Sequence, residues 1–308
     1  MVSKRIVIAV GVILPVFAAS FMMKHRVRET PVCVEPGDGA AVSCGRLVCL
    51  SPGITETVFA LGLGNQVVGV TRYCTYPPEA TQRFQVGGFL DPNYEALLAL
   101  RPDLILLTPF HRELQPELDR LGLRYEIIRQ DTVADIRESF LRLGALCGCE
   151  TEAAALTEAL DRRLADIARR AGDWPHPRVL MTTGRELQSG MLNEVYAISS
   201  GSFLSDLLTL AGGVNCVSGK IAEYPALSAE GILQLNPDVI IEFGPETSEE
   251  AAEAAVAAWQ ALAVLEAVRQ SRVYYLGGAR HTIPGPRIVE TLDALEKCLY
   301  PDEEASHP

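Results

Sequence analysis

The chain has 308 residues, of which 48% are hydrophobic and 21% charged, and its formal net charge at pH 7 is −12. This length and composition suit two folded domains and exclude disorder as a description of the whole chain. The acidic balance argues against a protein that follows nucleic-acid phosphates, which needs a basic surface.

The first 28 residues differ in kind from the rest. Lys4 and Arg5 precede an apolar run over residues 6–23, and a second basic cluster follows that run. A basic start, an apolar stretch and small residues are typical of a secretory signal, while the length of the run and the basic cluster after it also suit a retained membrane anchor. We predict that the protein is exported, with residues 1–28 as signal peptide or anchor and residues 29–45 as a tether.

The first half of the remaining chain alternates short apolar strands with helices, which predicts a parallel sheet with crossover connections. The expected strands are 47–50, 67–70, 104–107 and 125–128, and the expected helices are 54–61, 94–100, 114–121 and 136–146. These elements predict an N-terminal α/β lobe over residues 46–150.

Residues 151–171 interrupt the alternation. Leu156, Leu160, Leu164 and Ile167 recur at helical spacing, with acidic residues at the start of the segment and arginines at its end, as the helix dipole favours. We predict a linking helix over residues 151–172, with an ordinary surface helix of the first lobe as the alternative.

The alternation of strands and helices then restarts, which predicts a C-terminal α/β lobe over residues 173–308. Its expected strands are 179–182, 239–241 and 273–276, and its expected helices are 203–210, 232–235, 251–268 and 288–299.

One phrase occurs twice, at residues 95–103 and 230–238. Both copies read Glu-x-x-Leu-x-Leu-x-Pro-Asp, both lead into a strand, and they lie 135 residues apart. That distance suits one small domain rather than a solenoid repeat, so it predicts two similar lobes with a ligand cleft between them. Glu95 and Glu230, which open the two copies, either complement helix dipoles or form a symmetric docking surface for a partner with paired cations. Asp103 and Asp238, which close the two copies, are assigned to turns.

Three aromatic residues are candidates for ligand binding. Tyr73 follows the strand 67–70 in a loop that ends in two prolines, where open α/β sheets bind ligands. Phe89 lies six residues before Glu95, and Tyr224 lies six residues before Glu230. This matched offset predicts one ring in each lobe, facing each other across the cleft.

Motifs for catalysis and for metal binding are absent from the sequence. It has no glycine-rich phosphate loop, no His-Glu-x-x-His and no Gly-x-Ser-x-Gly. A metal site would require His111, His176 and His281 to converge, and the single residue between Cys147 and Cys149 does not suit a zinc knuckle. We predict a binding protein with no catalytic residues, no metal and no cofactor; an enzyme on a similar two-lobed fold is the alternative from another class.

Eight cysteines in an exported chain permit disulfides. Cys216 with Cys298 is one candidate bridge, but the spacing leaves the pairing open.

These motifs together resemble the iron-siderophore and vitamin B12 periplasmic binding proteins, over about residues 46–300. The matching segments are Tyr73-x-x-Tyr76-Pro77-Pro78, Asn93-Tyr94-Glu95, Arg101-Pro102-Asp103, Tyr224-Pro225-x-x-Ser228-x-Glu230 and Gly285-Pro286-Arg287. The resemblance implies two Rossmann-like lobes joined by one long helix, as in class III periplasmic binding proteins. It also implies a monomeric, periplasmic substrate-binding component that delivers a metal chelate to an ABC permease and its ATPase.

Within that family the cobalamin-binding branch is the most similar. This similarity implies a corrinoid ligand held by Tyr73, Phe89 and Tyr224, with Glu95 and Glu230 docking on permease arginines. Thr108 stands where that branch can offer another ring. The resemblance also puts His281 at the lip of the cleft as a ligand contact, with a plain surface histidine as the alternative. A ferric siderophore or haem is the alternative ligand, for which Tyr73, Tyr224 and His281 are candidate axial ligands.

Overall fold

The computed structural model describes residues 44–172, 174–188, 191–219 and 224–301. The predicted leader and all but the last two residues of the predicted tether lie outside these ranges. Within them, every helix falls short of the length or the apolar character that a bilayer span requires.

The first sheet has five parallel strands in the order β3-β2-β1-β4-β5. Its strands are β1 Leu47–Cys49, β2 Val67–Val70, β3 Phe84–Gln85, β4 Leu104–Leu107 and β5 Tyr125–Ile127. The central strands β1 and β4 are buried along their whole length, which explains why both read as unbroken apolar runs.

Four helices belong to this lobe: α1 Pro52–Ala60, α2 Tyr94–Leu100, α3 Gln115–Arg120 and α4 Val133–Cys147. The predictions for β2, α2 and β4 are confirmed to the residue. The expected helix 114–121 is instead a 3-10 turn, Pro109–Leu114, followed by the shorter α3.

The long helix α5, Glu150–Ala171, connects the two halves of the fold. Near its start, Ala153 packs into the core beneath the first sheet, and near its end Leu164 and Ile167 pack into the core of the second. Arg170 pairs with Glu296 at 2.9 Å, which ties α5 to the last helix. The helix thus contributes to both hydrophobic cores.

The second sheet has the order β11-β10-β6-β7-β9, with β8 beside β6. Its strands are β6 Arg178–Gln188, β7 Met191–Ala197, β8 Val214–Asn215, β9 Ala226–Ser228, β10 Val239–Gly244 and β11 Val273–Gly277. The strands β6, β8, β10 and β11 pair in parallel, but β6 with β7 and β7 with β9 pair antiparallel. The two-lobed α/β fold is confirmed, and the antiparallel hairpin is an addition that the predicted strand 179–182 did not include.

The helices of this half are α6 Phe203–Leu210, α7 Ala229–Leu235, α8 Glu249–Ala258, α9 Glu266–Arg269 and α10 Ile288–Leu299. The prediction of one helix over 251–268 is wrong, because the chain turns at Trp259 between α8 and α9. Trp259 is fully buried there, and its indole Nε1 donates to Glu242 at 3.0 Å.

The structure contains a disulfide between Cys44 and Cys147, whose Cα atoms are 5.4 Å apart. Cys216 and Cys298 are free thiols, so the candidate bridge between them is wrong. Cys298 lies on the buried face of α10, whereas the thiol of Cys216 lies against Arg178.

Candidate functional site

The two copies of the repeated phrase form the same local structure. Each is a seven-residue helix, α2 or α7, capped at its start by a side chain. The Asn93 carboxamide oxygen accepts from the amide of Ala96 at 3.0 Å, and the Ser228 hydroxyl accepts from the amide of Gly231 at 3.3 Å.

The two helices also end alike. Arg101 and Asn236 have left-handed backbones, with φ of 46° and 41°, and each turns the chain into a Pro-Asp pair. The Asp103 amide then donates to the carbonyl of Arg46 at 2.9 Å, as Asp238 does to Arg178 at 2.8 Å. The Asp238 carboxylate also accepts from the backbone amide of Arg178 at 2.8 Å, which fits the predicted turn role.

This equivalence places Glu95 and Glu230 at the second residue of matching helices. Both side chains are exposed. The structure therefore presents one carboxylate from each lobe in the same local setting, and the docking role stays a prediction.

The carboxyl edge of the first sheet carries an aromatic surface, defined here as Tyr73, Tyr76, Phe89 and Phe110. Tyr73 and Tyr76 follow β2, and their exposed fractions are 49% and 43%. Phe89 follows β3 and Phe110 follows β4, with ring centroids 6.4 Å apart and planes tilted by 54°. Parallel strands end at a common edge, so these rings lie where α/β sheets bind ligands.

Phe110 is not among the residues expected from the sequence, which has Thr108 where the corrinoid branch can offer another ring. Its side chain is 38% exposed. The feature of the sequence that indicates Phe110 is its place directly after a buried strand, in the pair Pro109-Phe110. Phe110 has the same position after β4 as Tyr73 has after β2.

His111 holds the two halves of this surface together. It is only 1% exposed, its Nδ1 accepts from the amide of Thr108 at 2.9 Å, and its Nε2 lies 2.8 Å from the carbonyl oxygen of Phe89. A neutral ring with its proton on Nε2 satisfies both bonds. Burial lowers the pKa of His111 to about 4, so the ring stays neutral at physiological pH.

A buried ion pair joins the two halves of the fold beside the aromatic surface. The Arg287 guanidinium donates from Nε to Glu56 Oε2 at 2.9 Å and from Nη2 to Oε1 at 2.6 Å. The same guanidinium lies 3.8 Å from the ring centroid of Tyr76. A Cβ atom at Gly53 would collide with the Pro284 carbonyl oxygen, so the backbones also approach closely here.

Tyr224 and Phe89 lie in different surroundings. Tyr224 is half-buried against the core between the second sheet and α5, whereas the Phe89 ring contacts His111, with centroids 4.4 Å apart and planes tilted by 55°. The idea that they face each other across a cleft stays a prediction.

His281 is 6% exposed, so the alternative of a plain surface histidine is wrong. Its Nδ1 lies 3.2 Å from the Thr291 hydroxyl, and its Nε2 accepts from Arg280 Nε at 3.3 Å. A ring with both nitrogens engaged inside the protein does not suit an axial metal ligand.

Across the described ranges, no three His, Cys, Asp or Glu side chains are grouped so as to hold a metal ion. His111, His176 and His281 occupy separate hydrogen-bonded sites, and the ring of His176 bonds the carbonyl of Gly212.

Comparison with known proteins shows extensive similarity. A family profile described as "Periplasmic binding protein" matches residues 47–279. The vitamin B12-binding protein of Vibrio cholerae is 30% identical over 261 residues, covering 83% of this chain and 88% of that protein. An uncharacterised ABC transporter substrate-binding lipoprotein of Bacillus subtilis is 26% identical over 294 residues, covering 91% and 88%.

Solved structures with a similar fold also include periplasmic binding proteins. The periplasmic vitamin B12-binding protein of Vibrio cholerae superposes with a TM-score of 0.70 at 25% identity, covering 83% of this chain and 96% of that one. A periplasmic haem-binding protein from Pseudomonas aeruginosa superposes with a TM-score of 0.71 at 25% identity, covering 84% and 93%.

Proposed function

We propose, from the premise that this chain belongs to the periplasmic binding protein family, that it captures a corrinoid, cobalamin, between its two lobes and delivers it to a membrane permease. The chain is a substrate-binding protein of the ABC-importer type, whose partners are a small-molecule ligand and a permease with its ATPase. The identity of the ligand is our proposal. We also propose that the protein binds it as a monomer, that it catalyses no reaction, and that residues 1–28 direct its export.

The aromatic surface is the observation that carries this proposal. A corrin ring is a broad, flat and largely apolar face, and exposed aromatic rings at the edge of a sheet can cover such a face by stacking. The solvent-exposed fractions of Tyr73, Tyr76 and Phe110 leave apolar area that a ligand would bury. The similarity in sequence and in fold to the vitamin B12-binding protein of Vibrio cholerae supports a corrinoid.

The first test is calorimetric titration of the full chain, purified in mild detergent, with cyanocobalamin. We expect a dissociation constant in the micromolar range or tighter. The double variant Phe89→Ala/Phe110→Ala is expected to bind at least tenfold more weakly, because each ring contributes on the order of 1 kcal/mol of stacking and burial. Tyr224→Ala tests the ring proposed for the second lobe in the same assay.

Phe84→Ala is the matched control, since Phe84 is an exposed ring of the same lobe that lies within β3 rather than after a strand. It should bind like the unaltered chain. Absence of heat and of co-eluting red colour would reject the corrinoid, and unchanged affinity in the double variant would reject the aromatic surface as the site.

Haem or a ferric siderophore is the second candidate ligand. The phenol of Tyr73 is exposed at the same edge, and tyrosine oxygen is a known ligand of ferric haem. A Soret band that forms when haem is added to the full chain, and that Tyr73→Phe abolishes, would favour haem over cobalamin.

We also propose that Glu95 and Glu230 dock on the permease. Two exposed carboxylates in equivalent settings suit a partner that presents a pair of arginines, because charge-assisted bonds between carboxylate and guanidinium fix orientation as well as affinity.

The double variant Glu95→Ala/Glu230→Ala is expected to keep its ligand affinity within about twofold, yet to lose most of the stimulation of permease ATPase activity in reconstituted vesicles, because it lacks both docking charges. Glu250→Ala, which removes an exposed first-turn acid of α8, is the control. A weakened ligand affinity in the double variant would show that these acids belong to the ligand site and not to the docking surface.

A further inference from the structure

Arg280 is an exposed arginine at the carboxyl end of the second sheet, in the 3-10 turn Ala279–His281 that follows β11. In the described part of the chain it has no carboxylate partner, and its side chain bonds only to the ring of His281. Two other arginines near the same sheet edge are neutralised: Arg287 by Glu56 and Arg185 by Glu242. Among the described residues, Arg280 is therefore a positive charge without a paired carboxylate, in a chain whose formal net charge is −12.

The bond from Arg280 determines which side of the guanidinium is available. Its Nε donates to His281 Nε2 at 3.3 Å, so that nitrogen must be unprotonated and the ring proton lies on Nδ1. Nδ1 in turn faces the hydroxyl of Thr291, a residue that is fully buried. A buried and neutral histidine thus anchors the guanidinium through Nε and leaves its two terminal nitrogens without a described partner.

The surroundings connect this arginine to the aromatic surface. Burial is the main cause that lowers the pKa of His281, and the positive charges of Arg280 and Arg287 lower it further. Arg287 stacks on Tyr76 of the aromatic surface at 3.8 Å. Arg280 and Arg287 belong to the same short segment between β11 and α10, which brings Arg280 to the side of the second lobe that meets the aromatic surface.

Building on the proposed function, we propose that Arg280 determines specificity by binding an anionic oxygen group of the ligand, a phosphodiester or a carboxylate, and that His281 is its positioning residue. A guanidinium with two terminal nitrogens available matches the paired oxygens of such a group. Among corrinoids this selects complete cobalamin, which carries a phosphodiester in its nucleotide loop, over cobinamide, which lacks that group.

The test compares cyanocobalamin with dicyanocobinamide on the full chain by calorimetry. We expect the unaltered chain to prefer cobalamin by about tenfold, the size of one charge-assisted hydrogen bond. Arg280→Gln should remove that preference by weakening cobalamin alone, and Arg280→Lys should restore part of it. His281→Phe, which keeps a ring of similar shape without the acceptor, should reduce the same preference while leaving cobinamide binding within about twofold.

Arg124→Gln is the matched control. Arg124 is an exposed arginine at the amino end of β5, so its loss changes the net charge equally at the opposite edge of a sheet. If Arg280→Gln weakens both corrinoids alike, or neither, the inference is wrong although the corrinoid function stands. If neither corrinoid binds the unaltered chain, the proposed function fails, and the role of Arg280 is then tested separately by comparing haem with its dimethyl ester. A preference for haem with free carboxylates that Arg280→Gln abolishes would support the role of Arg280. Any other result, including no binding, would overturn that role.

Discussion

An Arg287→Met variant is expected to lose about 3–5 kcal/mol of its free energy of unfolding, measured by urea denaturation of the full chain. The reason is that Glu56 is only 3% exposed and would lose both hydrogen bonds of its only described cation. This pair connects segments 231 residues apart and lies at the junction of the two lobes. The same variant is therefore expected to weaken ligand binding, because the lobes would no longer be held in one relative position.

The pH dependence of this loss of stability tests whether the unpaired Glu56 carboxylate causes it. Burial raises the pKa of Glu56, and in the native protein the bonds and charge of Arg287 oppose that shift. Without the arginine the pKa of Glu56 in the folded state rises further above its value in the unfolded chain. The folded variant therefore takes up a proton on Glu56 at low pH, and the stability gained by that proton is lost as the pH rises. The deficit is expected to be larger at pH 8 than at pH 5.

The double variant Glu56→Gln/Arg287→Met is the control for this prediction, since it removes the stranded charge together with its partner. It should recover much of the stability that the single variant loses. Equal stabilities of the single and double variants would show that the two side chains are not coupled.

The second large effect is expected at His111 under acidic conditions. An unfolded chain protonates this histidine near pH 6.5, whereas the folded protein resists protonation until about pH 4. The lowered folded-state pKa means that its contribution is fully present above pH 6.5 and is lost as the pH falls towards 4, by about 3 kcal/mol in total. Protonation at Nδ1 would also remove the acceptor for the Thr108 amide, and with it the support of Phe89 and Phe110.

Urea unfolding at pH 7, 6, 5 and 4 measures this loss. The decline of stability with pH should be shallower in His111→Gln than in the unaltered chain, while His176→Gln, which changes an exposed histidine, should follow the unaltered chain. Parallel declines for all three proteins would contradict the role assigned to His111.

Several elements were predictable because their causes are local. The strand Leu104–Leu107 is a continuous apolar run behind a Pro-Asp turn. The helix α2 begins at an Asn cap and ends at Leu100, with its C-cap Arg101 directly before a proline. The same local signals recur in α7, so the sequence alone identified the internal repeat. It also indicated the family, because the resemblance that it suggested agrees with the matching profile.

The hairpin of β6 and β7 was not predictable in the same way. The strand β6 continues past Thr182 through Arg185 and Glu186, residues that interrupt an apolar pattern. What makes that stretch a strand is antiparallel pairing with β7, and β7 in turn pairs with β9, which comes about 30 residues later in the chain. The register of these pairs, and not an apolar pattern, defines the strand.

By itself the sequence determined the alternation of strands and helices in both lobes, the repeat that places Glu95 and Glu230 alike, and the acidic net charge. Only the tertiary structure decided that Phe110 meets Phe89, that Arg287 pairs with Glu56, that Cys44 joins Cys147 and that His281 is buried behind Arg280. The physical reason is that caps, turns and apolar runs act between neighbours along the chain. Ring contacts, ion pairs and disulfides instead need atoms from distant segments to come within a few ångströms, and only the packing of helices and sheets within and between the two lobes brings those segments together.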